Sequence, residues 1–580
     1  MKLAKYLKPY WLCALLSPLC MLGEVLIDLL QPKLMSKIVN DGVLGNNMHL
    51  IISTGLLMLL LVAVGGVAGA AASGFAGTAS QKFGNDLRKD AFSKVMNLSF
   101  QQTDKFTTGS LVTRLTNDIS MTQDFVAQAL RIFVRAPITF IGGIIMALSL
   151  NAKFGIVLIC ALPVQLLILA ILLFKAAPMF SIVQKKLDKV NSVTQENVSG
   201  ARTVKAFLRE DYETKRFNVA NDELVNTNIK VQKILTLIMP LLMIIMNLSV
   251  IAVIYIGGYQ TEAREMQAGD VMAAVTYITQ ILMSLMMVGM MFQSISRAKA
   301  SAARIVEVLN TTPCILSGSY RDDAASAEIE FKNVSFFYPG HSGSPILNNI
   351  SFTVKPGEKI AILGSTGSGK SSLVNLIPRF YDCTDGEVLF NGVDVKQYDL
   401  ENLRSKIGFA LQKSELFTGT ISDNIRWGLP NATDEEVVNA AKIAQADDFI
   451  TSFNDGYDTV IEEKGSSLSG GQKQRISIAR AIIRHPSLII FDDSASALDL
   501  GTESRLQKAL AENLGDITTI TIAQRIASVM NSDRILVLEN GSIVANGSHE
   551  ELLKTSKVYA DIYDSQTKNA NSQKGADING

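Results

Sequence analysis

Six apolar stretches, near 11–35, 50–77, 130–151, 154–175, 233–259 and 270–295, are each long enough to cross a bilayer, which takes about 20 residues. A chain built this way must place its first half in lipid as helices. Composition agrees: with only 19% charged residues in 580 and a mean hydropathy of +0.24, it is too apolar for an ordinary soluble enzyme and too long for one core.

Charge sorts the loops between the helices. The segments after the second and fourth stretches carry Lys82, Arg88, Lys89, Lys94, Lys105 and Arg114, then Lys185, Lys186, Lys189, Arg202, Lys205, Arg209, Lys215 and Arg216, whereas Lys33, Lys37, Lys153 and Arg264 are thinly spread over the other connections. The positive-inside rule puts both termini and the long loops in the cytoplasm. Helical periodicity in those loops predicts that the second to fifth helices continue well beyond the membrane. Lys2, Lys5 and Lys8 before the run from Trp11 imitate a signal peptide, but no small-x-small site closes that run and Glu24 and Asp28 interrupt it, so a retained first helix is expected.

Lys+Arg and Asp+Glu are equal at 54 each, which removes the electrostatic argument for a nucleic-acid partner. Cys13, Cys20, Cys160, Cys314 and Cys383 are far apart, without CxxC spacing, and read as buried free thiols. Gly65, Gly66, Gly69, Ala70 and Gly74 are spaced for close approach of a neighbouring helix. Glu24 and Asp28, i and i+4, share one face of the first helix. They face a cavity or a partner, or else sit near the outer interface or pair with Lys33 or Lys37. Arg131 and Arg135 are expected to snorkel at the cytoplasmic end of the third helix. Met272, Met283, Met286, Met287, Met290 and Met291 on the sixth helix suit either core packing or an adaptable binding surface.

The boundaries expected are a membrane domain over 1–300, a linker over 301–327, a soluble domain over 328–566 and a disordered polar tail over 567–580. In the soluble part, β-rich runs (Lys359 to Leu363, Leu488 to Phe491, Ile517 to Ile522) alternate with helical stretches, an α/β layout. After the first run comes Gly364, Ser365, Thr366, Gly367, Ser368, Gly369, Lys370, Ser371, with Ser372 following. This is a complete phosphate-binding loop. Its glycines let backbone N–H groups point inward, Lys370 meets the β- and γ-phosphates, and the Ser371 hydroxyl is a magnesium ligand. Asp492, ending the apolar strand Leu488 to Phe491, fits the carboxylate that holds that ion.

With Leu468-Ser469-Gly470-Gly471-Gln472 added, the chain resembles the ATP-binding cassette transporters, specifically exporter-type (type IV) half-transporters with a membrane domain fused ahead of the nucleotide domain. The resemblance runs from the first helix to about residue 566. It implies ATP and Mg2+ as cofactors, Tyr338 stacking on adenine, and Gln412 in the magnesium and coupling loop. It also assigns Glu463 just before the signature and Ser496-Ala497-Leu498-Asp499 after the acidic strand. Two nucleotide domains would dock head to tail, so that Ser469 and the Gly470 and Gly471 amides touch the γ-phosphate held by the partner, with Gln472 among the nucleotide-binding residues. Short cytoplasmic helices near 107–116 and 207–216 would lie against the nucleotide domains.

Two positions depart from the family pattern. Asp493 stands where Glu acts on the attacking water, and Gln524 where His meets the γ-phosphate. The resemblance then implies the degenerate-site subunit of a heterodimeric bacterial multidrug exporter, multi-pass in the plasma membrane, with hydrophobic small-molecule, lipid or peptide cargo. A homodimeric exporter, an exporter-fold metal-chelate importer and an ATP-gated regulator that does not pump are the competing readings.

Overall fold

The computed structural model describes residues 2–338, 343–462, 465–494 and 498–576. The chain divides into two compact units, one of residues 1–96 and 109–311, the other of 97–108 and 312–580.

In chain order the helices of the first half are α1 (Trp11–Lys37), α2 (Met48–Met96), α3 (Phe100–Phe106), α4 (Thr108–Thr113), α5 (Ile119–Leu150), α6 (Phe154–Ser199), α7 (Ala201–Ala206), α8 (Glu210–Thr236), α9 (Ile238–Glu262) and α10 (Ala268–Asn310). Six candidate spans emerge from them. At 49 and 46 residues, α2 and α6 far exceed the ~20 needed to cross lipid, as the charged flanks predict. Helices α1 and α2 each hide one stripe. On α1 it is Ser17, Met21, Val25, Leu29, Pro32 and Ser36; on α2 it is Ala72, Ala76, Ala79, Phe83, Leu87 and Ala91, both following the helical repeat. Leu29 packs with Tyr277 and Ile281 of α10, and the buried Tyr277 hydroxyl donates to the Leu29 carbonyl at 2.8 Å.

The small residues of α2 split by face. A Cβ on Gly69 would meet Glu24 Oε2 at 2.6 Å and one on Gly65 would meet Ile27 at 3.3 Å, whereas Gly66 and Gly74 look onto open space. The snorkelling expected of Arg135 is corrected. It lies halfway along α5, where its guanidinium binds Glu24 at 2.8 Å and Asp28 at 3.0 Å. An ion triad inside a span avoids leaving two carboxylates unpaired in lipid, so pairing of Glu24 and Asp28 with Lys33 or Lys37 is not what forms. All five cysteines are unpaired, but none is buried, with Cys160 and Cys314 exposed. Met272 and Met283 are exposed while Met286 packs on the core.

Two expected boundaries shift. Helix α10 continues through 301–310, because Ile305 joins Phe83, Leu87 and Ile119 in a buried cluster. The first docking helix is α3, seven residues ahead of the 107–116 expected, and residues 97–108 cluster with the second unit. A capping box between Ser99 and Gln102 starts α3. Its Phe100 ring then packs at a tilt on Phe380, 4.7 Å between centroids, and Asp104 accepts the Tyr381 hydroxyl at 2.7 Å.

The second unit holds strands β1 (Ile329–Phe336), β2 (Leu347–Val354), β3 (Lys359–Leu363), β4 (Asp385–Phe390), β5 (Val393–Asp394), β6 (Ile407–Ala410), β7 (Gly419–Thr420), β8 (Val460–Ile461), β9 (Leu488–Asp492), β10 (Thr518–Ala523), β11 (Arg534–Glu539) and β12 (Ser542–Gly547). They form an antiparallel sheet in the order β2-β1-β4-β5, a second sheet in the order β12-β11-β3-β10-β9-β6, and the pair β7-β8. In the second sheet β11, β3, β10, β9 and β6 run parallel. Strands β3 and β9 read as near-continuous apolar runs because both faces are covered, while β10 between them alternates Thr with Ile.

The helices are α11 (Lys370–Asn375), α12 (Leu400–Ser405), α13 (Ile421–Arg426), α14 (Asp434–Ile443), α15 (Asp447–Thr451), α16 (Gly470–Ile482), α17 (Leu500–Asn513), α18 (His549–Thr555) and α19 (Lys557–Ala576). The last replaces the disordered tail expected from 567 for ten more residues.

Candidate nucleotide site

Strand β3 is buried over Ile360 to Leu363 and delivers the chain into the glycine loop. A Cβ at Gly364 would come within 2.3 Å of the Leu538 carbonyl oxygen, and Gly367 and Gly369 take φ of +84° and +100°. Larger residues neither fit nor twist that way. Lys370, 7% exposed, donates to the carbonyls of Gly364 at 2.9 Å and Ser365 at 2.7 Å. Burial holds its ammonium below the usual lysine range, against the opposing pull of Asp493 and Asp492. The Ser368 hydroxyl is buried without a hydrogen-bond partner among the described residues. A phosphate oxygen would supply the missing acceptor, so the loop fits ATP on its own chemistry.

Ser371 Oγ donates to Asp492 Oδ1 at 2.9 Å, where buried strand β9 ends. Burial raises the Asp492 carboxyl above its ordinary range and neighbouring Asp493 adds to this, with the Ser371 bond opposing. A hydroxyl and a carboxylate side by side are oxygen donors of the kind magnesium takes. When bound, that ion would neutralise phosphate charge.

Asp493 leaves the strand at φ +47°, a region that Asp visits more readily than most residues, and its N–H bonds the Ile522 carbonyl at 3.1 Å. Its Oδ2 accepts from Gln524 Nε2 at 3.0 Å and, more weakly, from Gln412 Nε2 at 3.4 Å. Burial pushes this carboxyl up as well, while Gln412, Lys370 and Gln524 oppose it. Tyr338 stands beside the loop, its hydroxyl 3.1 Å from Ser372 Oγ and its ring edge-on to Tyr381 at 5.2 Å.

The loop from Gly364 to Ser372, Tyr338, Gln412, Asp492, Asp493 and Gln524 are therefore brought together. The signature is satisfied within itself. Ser469 caps α16 by accepting the Gln472 N–H at 3.3 Å, and Gln472 Oε1 accepts the Ser469 N–H at 2.8 Å. Gly470 and Gly471 form the first turn behind this cap. Asp499 caps α17 through the Thr502 N–H; Glu463, Ser496 and Ala497 lie outside the described residues. Two contributors were not legible in the sequence. Tyr381 links Tyr338 to α3 across 277 residues of chain, and Gln566 hydrogen-bonds the backbone at Gln524 and Ile526. Only the Ser99-x-x-Gln102 cap, which starts α3, left a local signal.

The model of the ABC transporter transmembrane region matches residues 14–285, and that of the ABC transporter matches 347–496. An ABC transporter ATP-binding protein of Bacillus subtilis, YfiB, is 41% identical over 565 residues, 97% of this chain and 98% of that protein. An ATP-dependent lipid A-core flippase of Syntrophus aciditrophicus is 33% identical over 84% of this chain and 81% of its own length. A fatty acid ABC transporter ATP-binding/permease protein of Mycobacterium bovis is 33% identical over 82% of this chain and 75% of its own. Among solved structures, a bacterial Atm1-family ABC exporter with ATP bound superposes with a TM-score of 0.78 at 26% identity, covering 97% of this chain and 98% of the other. Helical spans followed by an α/β ATPase domain, with the phosphate loop built as above, leave one conclusion: the chain belongs to the ABC transporter family, as an exporter-type half-transporter of the membrane whose nucleotide-binding domain is cytoplasmic.

Proposed function

We propose that this chain is one half of a heterodimeric exporter, and that its own phosphate loop contributes to a nucleotide site that binds ATP but hydrolyses it poorly. The observation that carries this is the Asp493–Gln524 pair at 3.0 Å. An Asp carboxylate is one methylene shorter than Glu, a withdrawal of about 1.5 Å from the attacking water, and misplacement by ~1 Å can cost about 100-fold in rate. Gln524 can donate a hydrogen bond to a γ-phosphate but cannot become cationic, as His can.

The other residues are suited to binding. Lys370 brings a cation to the loop, the Ser368 hydroxyl offers a donor, Ser371, Asp492 and Gln412 would hold magnesium, and Tyr338 offers adenine a ring face. Ser469, Gly470, Gly471 and Gln472 would complete a competent site on the partner subunit. The names of the lipid A-core flippase and the fatty acid transporter favour lipid-like, hydrophobic or amphiphilic cargo.

The test compares ATPase activity of the purified chain alone with that of the chain co-expressed with a half-transporter carrying Glu and His at the two positions. Low activity alone and high activity together is the expected result. Brisk hydrolysis by the chain alone would overturn the pairing and favour a homodimer.

A further inference from the structure

Strand β10 ends at Ala523, and the turn that follows carries Gln524 toward Asp493. Beyond the sheet edge this turn needs other partners for its backbone. One side chain supplies two. Gln566 Nε2 donates to the Gln524 carbonyl at 2.9 Å, and Gln566 Oε1 accepts the Ile526 N–H at 2.8 Å. A single amide thus holds the chain on both sides of Arg525, as a neighbouring strand would.

Gln566 is itself firmly presented. Tyr559, fully buried, has its hydroxyl 2.6 Å from His549 Nδ1, and Val558, Ile562 and Tyr563 pack against the cluster containing Ala523, Ile526 and Val529. Tyr559, Ile562, Tyr563 and Gln566 follow the i, i+3, i+4, i+7 spacing of one helix face. Helix α19 therefore lies on the turn with its apolar stripe and ends that stripe in an amide.

We propose that Gln566 is a positioning residue of the nucleotide site: through its two backbone bonds, α19 sets where the Gln524 side chain stands. This rests on the reading of Gln524 as the group that meets the γ-phosphate. Without the bridge, the Gln524 carbonyl and Ile526 N–H turn to water, and the Gln524 amide spreads over more positions. Discrimination between nucleotides with and without a γ-phosphate then weakens at this site.

The full-length chain in lipid nanodiscs is titrated with a non-hydrolysable ATP analogue and with ADP, as wild type, Q524A, Q566A, Q566E and Q524A/Q566A. Q566A is expected to lower the preference for the analogue over ADP by about tenfold, the usual worth of a hydrogen bond or two. Q566E, which keeps the acceptor for Ile526 and loses the donor for Gln524, should fall between. The double variant should lose no more than Q524A. Amide exchange at Ile526 should accelerate in Q566A. If Q524A lowers the preference while Q566A and Q566E leave it at the wild-type value, Gln566 serves only to seat the helix and the inference fails. If Q524A itself changes nothing, the γ-phosphate role of Gln524 fails and the inference falls with it. Should Q566A not fold, Q566E decides on the same readout.

Discussion

Gln524 gives its side-chain amide to the Asp493 carboxylate across 3.0 Å, between the ends of the adjacent parallel strands β9 and β10. Two side chains that would each face an attacking water or a terminal phosphate instead satisfy one another. Restoring reach and charge together, Asp493→Glu with Gln524→His, should raise hydrolysis at this site on the order of 100-fold, the scale set by ~1 Å of misplacement. Single-turnover ATPase with the partner's own site disabled measures it. An unchanged rate would show that the two positions do not limit the chemistry.

The two roles proposed for the chain separate in one assay. Ser469 would serve the site on the partner and Asp493 the site on this chain, so with a wild-type partner Ser469→Ala should cut steady-state ATPase strongly and Asp493→Asn only modestly. Losing an aligned donor at a developing charge is worth about 3 kcal/mol, roughly a hundredfold. The reverse order at saturating ATP would exchange the assignments.

Acid should weaken magnesium binding early. Burial raises the carboxyls of Asp492 and Asp493, so they take up protons at a higher pH than exposed aspartates do, and a protonated carboxyl does not hold the ion. The sign for stability follows. A carboxyl whose folded value is raised favours the nucleotide-free folded state when protonated, and that contribution is lost as pH rises through the folded value. Magnesium titrations of nucleotide binding at about pH 7.5 and about pH 5.5 should show the affinity falling on acidification, and less steeply in Asp493→Asn.

Phe207 and Leu208 follow α7 with 73% and 83% of their surface exposed, and Leu208 turns at φ +51°. Apolar groups presented this way fit docking against a nucleotide domain of the assembly, as the family resemblance implies. Phe207→Ala or Glu210→Ala should leave nucleotide binding intact and lower transport per ATP hydrolysed. Equal ratios in mutant and wild-type vesicles would remove the assignment.

In the membrane half, Arg135→Ala leaves Glu24 and Asp28 without their cation. Breaking a fully buried pair costs about 3–5 kcal/mol, but the Arg135 side chain is 38% exposed, so a loss on the order of 2 kcal/mol is expected from thermal unfolding in detergent. A triple variant, Glu24→Gln, Asp28→Asn and Arg135→Met, should recover most of it. No recovery would place the cost in packing alone.

Local features carried much of this protein in its sequence. Apolar runs of 20 or more residues have one solution in lipid, so the spans and their cytoplasmic extensions could be read directly. The glycine loop is equally local, because Gly364, Gly367 and Gly369 answer backbone demands within a few residues of themselves. Tertiary structure decided what depends on distant segments meeting. Arg135 was expected at a helix end and is instead the counter-ion of Glu24 and Asp28, since nothing in its own helix reports which residues α1 brings alongside. The linker start at 301 failed because Ile305 is buried by helices far away in sequence. Asp104 with Tyr381, and Gln566 with the turn at Gln524, are single polar side chains. Alone, each has the composition of an exposed residue; its partner exists only once the chain has folded.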